Sequence, residues 1–175
     1  SRLKLTRATE VLETIVETAQ QEKSSYLTFL DHLLEEEVAA KEQRRIQTAM
    51  KTAGLPAAKT IEDYDFSFHP HLNKQEVMTL FDLEFIRNQE NVLFLGPPGV
   101  GKSFLVQALG YQAIKSGFLV YYRSVFDVVR DFMQDEAFDG HDKVLAKYLK
   151  PDLVVIDDRL VLQGGYPLLG NPSTI

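Results

Sequence analysis

The sequence predicts an α/β fold, a parallel sheet carrying a phosphate-binding loop, preceded by a small α-helical domain. Three observations lead there. The apolar run Val92–Leu95 flows directly into Gly96-x-x-x-x-Gly101-Lys102-Ser103, the P-loop (Walker A) pattern of nucleoside triphosphate sites. Around that loop, strand-like apolar runs alternate with stretches of helical spacing, as parallel sheets with crossover helices require. Ahead of it, apolar residues recur at helical spacing from Leu12 to Ile46.

In chain order, Leu12, Ile15, Val16 and Ala19 mark one helix. Tyr26, Leu27, Phe29, Leu30, Leu33, Leu34, Val38 and Ile46 mark a second, with a break near Glu22–Ser25. Ser24 or Ser25 caps the second helix, and Gly54 followed by Pro56 ends it. Residues 1–54 are thus expected to form the helical domain. The stretch 55–72, with Pro56, Pro70 and alternating Tyr64, Phe66 and Phe68, reads as an extended linker to a nucleotide-binding domain spanning 73–175. There Asn73 caps a helix to about Asn88, whose Val77, Leu80, Phe81, Phe85 and Ile86 face the sheet. A buried strand of Val92, Leu93, Phe94 and Leu95 follows, then the loop, then an amphipathic helix carrying Phe104, Leu105, Ala108, Leu109, Ala113 and Ile114. Phe118–Tyr122 reads as a second strand, Val125–Met133 and Lys143–Leu149 as helices, and Leu153–Ile156 as a third, buried strand.

The loop chemistry explains its residue types. Successive backbone N–H groups must turn inward to cradle an anion, which requires glycine at positions such as Gly96, Gly99 and Gly101. Pro97 and Pro98 stiffen the turn, and Val100 completes the cradle of eight residues. Lys102 supplies a point charge for the β- and γ-phosphates of ATP. Ser103 supplies a hydroxyl ligand for Mg²⁺, and the helix starting there aims its positive end at the phosphates. A glycine turn without a ligand is the bland alternative, and the strand, loop and helix order argues against it.

A second constellation lies 55 residues after Lys102. Leu153-Val154-Val155-Ile156-Asp157-Asp158 is an apolar strand ending in two carboxylates, the Walker B arrangement that sets an acid beside the metal. Asp157 is expected to hold Mg²⁺ through water, and Asp158 to orient or deprotonate the attacking water. Acids also end strands merely because strands end at the surface; the spacing within an alternating α/β pattern favours the metal reading.

Composition narrows the remaining classes. With 175 residues, 45% of them hydrophobic, the chain can bury one good core plus an appendage. It has no cysteine, which excludes disulfides, thiolate catalysis and Cys-ligated zinc. It has no apolar run of membrane-spanning length and no apolar signal core at its start, so a cytoplasmic location without membrane attachment is expected. The net charge of −6 argues against wholesale nucleic-acid coating. The deficit lies entirely beyond residue 60, so a local DNA face in the first part stays open; Lys41, Arg44, Arg45 and Lys51 read equally as the solvated side of a helix. Among His32, His69, His71 and His141 only His69-Pro-His71 has any metal-like spacing, and it is a weak signal. Tyr121, Tyr122 and Arg123 end a strand on the ligand side, where packing competes with contact to DNA or a neighbouring subunit.

Several stretches together resemble one family. RATEVLE and SYLTFLDHLLEEEVAAKEQRR near the start, the linker GLPAAKTIEDYDFSFHPHLNKQEV, the loop ENVLFLGPPGVGKS, and ALGYQAIKSGFLVYYRSVFDVV followed by PDLVVIDD are similar to the IstB-like helper ATPases of insertion-sequence transposition. The resemblance runs from about Leu3 to Asp158. It implies an AAA+ ATPase, related to the DnaC helicase loaders, that self-assembles on duplex DNA with ATP, deforms it and delivers it to a partner transposase. It further implies that Gly96–Ser103 bind the triphosphate and Asp157 the Mg²⁺. Asp158 stands where many such proteins have glutamate, and Asp65–Pro70 would lie near the adenine.

The stretch from Arg159 to Ile175 departs from that pattern, so the ATPase domain is expected to be truncated after Walker B. In such a sheet the next strand inserts between the P-loop strand and the Walker B strand, so its loss is expected to leave edges unpaired and ATP hydrolysis weak. Three rivals share the nucleotide site: a helicase loader, a small-molecule kinase, and a remnant serving only as a binding module. A kinase needs an acceptor pocket and an Arg-bearing lid, and no candidate lid follows Asp158.

Overall fold

The computed structural model describes residues 4–68, 72–136 and 141–158. The chain divides into two compact units, Ser1–Lys51 and Thr52–Ile175. None of the described helices is long and apolar enough to cross a membrane.

The first unit is a helical hairpin of α1 (Thr6–Glu22) and all but the last two residues of α2 (Tyr26–Ala53). The turn between them falls where the periodicity breaks. Lys23 takes the left-handed conformation at φ 54°, and Ser24 N–H returns to the Ala19 carbonyl at 2.9 Å, closing α1. Ser25, rather than Ser24, caps α2, its Oγ accepting from Thr28 N–H at 3.2 Å. The apolar positions of α2 split between two faces. Phe29 and Leu33 are half-buried, whereas Leu27, Leu30, Leu34 and Val38 are exposed.

A buried carboxylate holds the hairpin together. The α1 N-cap, Leu5, offers no side-chain acceptor, so the first-turn amides of α1 need a partner from elsewhere. Glu37 of α2, only 2% exposed, supplies it by accepting from Ala8 N–H at 2.9 Å. Lys41 Nζ and Arg44 Nη2 stand 3.8 and 3.7 Å from its other oxygen. The Ala8 hydrogen bond holds the Glu37 carboxyl below its ordinary value of 4.5, with Lys41 and Arg44 acting in the same direction.

In the second unit the stretch after α2 does not run free as an extended linker. It forms two 3₁₀ turns, Ile61–Asp63 and Phe66–Phe68, and Ile61 is buried with Val77 and Leu105 in a cluster joined by Tyr64, Phe66, Leu72, Phe81 and Phe94. Asn73 caps the next helix as expected, its Oδ1 accepting from Gln75 and Glu76 N–H at 3.0 and 3.4 Å. The helix expected to reach Asn88 is broken in two, α3 (Lys74–Leu80) and α4 (Glu84–Arg87). The break is at Leu83, whose backbone is left-handed at φ 60° while its side chain is buried. Burial of a leucine, worth about 1.5–3 kcal/mol, outweighs the local cost of that conformation, about 1–2 kcal/mol.

Beyond the loop come α5 (Lys102–Lys115), β1 (Val120–Ser124), α6 (Val125–Glu136), α7 (His141–Leu149) and β2 (Leu153–Asp157). β1 and β2 pair in parallel, with Val120 opposite Leu153 and Ser124 opposite Asp157, and α6 and α7 form the crossover. The core lies between α5 and this sheet: Leu105, Ala108, Leu109, Ala113 and Ile114 from the helix, Val120, Tyr122 and Val155 from the strands. Ser124 ends β1 and caps α6, its Oγ accepting from Asp127 N–H at 3.1 Å.

The α/β expectation thus holds in a reduced form, a two-stranded parallel sheet among the described residues. The first of the three expected strands, Val92–Leu95, is not in that sheet. Val92 and Phe94 turn inward, but Leu93 and Leu95 are 78% and 83% exposed. Among the described residues no strand pairs with this segment. Between residues 91–94 and Leu153–Asp158 lies a groove of about 270 Å³ rather than a described strand.

Two outcomes follow. Because folding depresses the Glu37 carboxyl, its contribution is complete above about pH 4.5 and is lost as pH falls through the folded value. Thermal melts between about pH 5 and pH 3 should show the wild type losing stability more steeply than Glu37→Gln. Asn73→Ala should cost about 1 kcal/mol in denaturant unfolding, because two first-turn amides of α3 lose their acceptor.

Candidate functional site

The loop is shaped by backbone conformations that few residues other than glycine adopt. Gly99 and Gly101 are left-handed at φ 84° and 86°, and Gly101 is the N-cap of α5. A methyl group at Gly101 would stand 2.8 Å from Tyr64 Cε2, so both conformation and space demand glycine there. Lys102 and Ser103 are the first two residues of α5, at the end where unpaired N–H groups and the helix dipole favour an anion. The Lys102 ammonium curls over the turn and donates to the carbonyls of Gly96 and Pro97 at 3.1 and 3.0 Å. Pro98 and Val100 complete the turn between them.

The two motifs recognised in the sequence meet. Ser103 Oγ donates to Asp157 Oδ1 at 2.8 Å across 54 residues of chain. Asp157 ends β2 and is 5% exposed, so this carboxylate is held inside the site rather than shed to solvent. Asp158, the next residue, is exposed. Both acids and Lys102 line the groove beside residues 91–94.

The sequence reading misses Gln107 and takes Tyr122 only as a packing, DNA-contact or subunit-contact residue. Tyr122 Oη donates to Asp157 Oδ2, and Gln107 Nε2 donates to Tyr122 Oη at 3.4 Å. The alternating burial of β1 turns Val120, Tyr122 and Ser124 inward, so a polar tip on the strand beside Walker B was the available signal. Tyr121 and Arg123 take the other side. Tyr121 meets Tyr148 edge-on at 5.2 Å, and the Arg123 guanidinium lies 3.8 Å over the Tyr121 ring. Burial and the Asp131 carboxylate raise the Tyr148 phenol above its ordinary value.

The stretch read as a linker forms a wall of the site. Tyr64 Oη donates to the Val100 carbonyl at 3.2 Å, and burial raises its phenol above the ordinary value. Asp63, Tyr64, Asp65, Gly99, Val100, Gly101 and Phe104 surround an open depression of about 420 Å³ beside the loop. His69, Pro70 and His71 lie outside the described residues, as do Arg159 and everything after it. Among the described residues no cluster of three or more His, Asp or Glu could hold a metal by itself.

Gly101→Ala should be destabilising by at least about 1–2 kcal/mol, the left-handed penalty alone, before the contact with Tyr64 is added. Denaturant unfolding measures it; a change below about 0.5 kcal/mol would contradict the loop geometry.

Comparison with known proteins identifies the family. Residues 1–164 match the family model of the IstB-like ATP binding protein. An insertion sequence IS5376 protein of Geobacillus stearothermophilus, described as ATP-binding, is 36% identical over 157 residues, covering 90% of this chain and 62% of that protein. The corresponding IS21 protein of Pseudomonas aeruginosa is 32% identical, covering 90% and 60%. An IS21-like protein of Bacteroides fragilis strain YCH46 is 32% identical, covering 89% and 78%. The chain spans about three-fifths of the length of the first two of these relatives. A family match over nearly the whole chain, with relatives above 30% identity, shows that the chain belongs to the IstB-like ATP-binding protein family of insertion sequences.

Proposed function

We propose that this chain is the ATP-binding part of a helper ATPase in insertion-sequence transposition, assembling on duplex DNA and engaging a partner transposase. The observation that carries the nucleotide half of this reading is the 2.8 Å junction of Ser103 and Asp157 directly behind the glycine loop. The insertion-sequence descriptions of the relatives support the other half. DNA, the transposase and self-assembly come from the family reading, with the basic residues of α2 as the local candidates for a DNA face.

The residues fit a triphosphate. Backbone N–H groups of Gly99–Ser103, beyond the donor-less Pro97 and Pro98, take the phosphate oxygens, and Lys102 exchanges its hold on the Gly96 and Pro97 carbonyls for the β- and γ-phosphates. The base lies in the depression walled by Tyr64, Asp65 and Phe104. Ser103 Oγ and Asp157 Oδ1 are hard oxygen donors already side by side, the set that suits Mg²⁺ completed by phosphate and water. Ser103 and Asp157 would hold such an ion, which would supply positive charge against the phosphate oxygens. Asp158, exposed at the strand end, orients the attacking water and accepts its proton. Its carboxylate is one methylene shorter than the glutamate expected there, and with a groove beside residues 91–94 turnover is slow.

Lys102→Ala should weaken ATP binding about 10–100-fold, the worth of one or two charge-assisted hydrogen bonds, in a fluorescent-nucleotide titration. Steady-state hydrolysis by this chain should be weak and rise on adding duplex DNA. Acceptor-dependent phosphate transfer instead would support a kinase, and binding without any turnover a remnant.

A further inference from the structure

Asp157 does not present its carboxylate to the site unaided. The two oxygens are bound by different elements, Oδ1 by Ser103 on α5 and Oδ2 by Tyr122 on β1. Tyr122 pairs with Val155 in the ladder, two residues short of Asp157, and its ring reaches forward along the sheet to the carboxylate. The phenol is 4% exposed and Gln107 behind it is fully buried. Gln107 lies one turn beyond Ser103 on α5, so the loop helix grips Asp157 twice, directly through Ser103 and indirectly through Gln107 and Tyr122.

We infer that Tyr122, backed by Gln107, is a positioning residue that fixes the Asp157 carboxylate so that Oδ1 faces Ser103 and a divalent ion. This rests on the reading of Ser103 and Asp157 as the holders of that ion. The χ2 torsion of aspartate is soft, so one bonded oxygen leaves the carboxylate free to rotate, whereas a donor on each oxygen sets its plane. A phenol in this buried place costs desolvation unless its hydroxyl is bonded, and here it is bonded on both sides, donating to Asp157 and accepting from Gln107. Partners of this kind, one step behind a metal ligand, are worth about 10–100-fold in metal affinity.

The test uses the whole chain with Mn²⁺ as the probe. Mn²⁺ binding is followed by electron paramagnetic resonance at saturating ADP, and fluorescent ADP affinity is measured separately in EDTA. Tyr122→Phe should weaken Mn²⁺ binding about 10-fold while leaving metal-free ADP affinity within about twofold of wild type. Gln107→Met should weaken Mn²⁺ binding less, and should add nothing in the Tyr122→Phe background, since it acts through the phenol. Unchanged Mn²⁺ affinity in Tyr122→Phe, or an equal loss of metal-free ADP affinity, overturns the inference while the ion-holding reading stands. Failure of the wild-type ADP complex to bind Mn²⁺ overturns that reading and the inference with it. If Tyr122→Phe does not fold, Gln107→Met decides alone: weakened Mn²⁺ binding supports the relay, and wild-type binding overturns it.

Discussion

The buried carboxylate of Asp157 is the constraint around which the second unit is organised. An acid 5% exposed must find hydrogen-bond donors, and it finds them on two different elements. Tyr122 reaches it only if β1 and β2 keep their parallel register, and Ser103 reaches it only if α5 begins directly after Gly101. A one-residue slip of β1 would turn Tyr122 to the opposite face and leave Oδ2 unbonded. The same residue therefore couples strand register, helix start and loop conformation, and each is costly to change alone.

The loop is braced from its other side by residues that sequence spacing leaves anonymous. Tyr64 crosses from the 3₁₀ segment to bond the Val100 carbonyl, and its ring occupies the space a side chain at Gly101 would need. Phe94 drops into the cluster with Ile61, Val77 and Leu105. The segment before the loop is thus anchored through a side chain rather than through a ladder of backbone bonds. Its outward leucines, Leu93 and Leu95, stay exposed beside the groove facing β2. In the first unit Glu37 shows the same logic, a buried carboxylate satisfying the start of a neighbouring helix.

Family membership gives this geometry its meaning without deciding its details. The relatives are insertion-sequence proteins described as ATP-binding, and the loop, Lys102 and the Ser103–Asp157 junction are the parts of the proposed ATP site. At the end of β2 stand two acids, one enclosed and one exposed. Their environments separate their capacities: the enclosed acid is held by hydroxyls and keeps a fixed orientation, while the exposed one is open to water.

Much of the molecule was legible in the sequence because its signals are local. The break between α1 and α2, the Asn73 cap, the glycine loop and the apolar strand ending in Asp157-Asp158 each depend on residues within one or two turns of one another. Backbone conformation and helical or strand periodicity are read directly from such spacing. The misreadings share the opposite character. The broken helix at Leu83, the packed 3₁₀ segment around Tyr64 and the unpaired Val92–Leu95 were decided by burial and by the availability of partners distant in the chain. So were the roles of Tyr122 and Gln107. The sequence by itself determined that a phosphate-binding loop and an acid-tipped strand exist, because each is a contiguous chemical pattern. Only the tertiary structure decided how the carboxylate is held, because hydrogen bonds spanning 15, 35 and 54 residues depend on strand register and helix packing that no local pattern encodes.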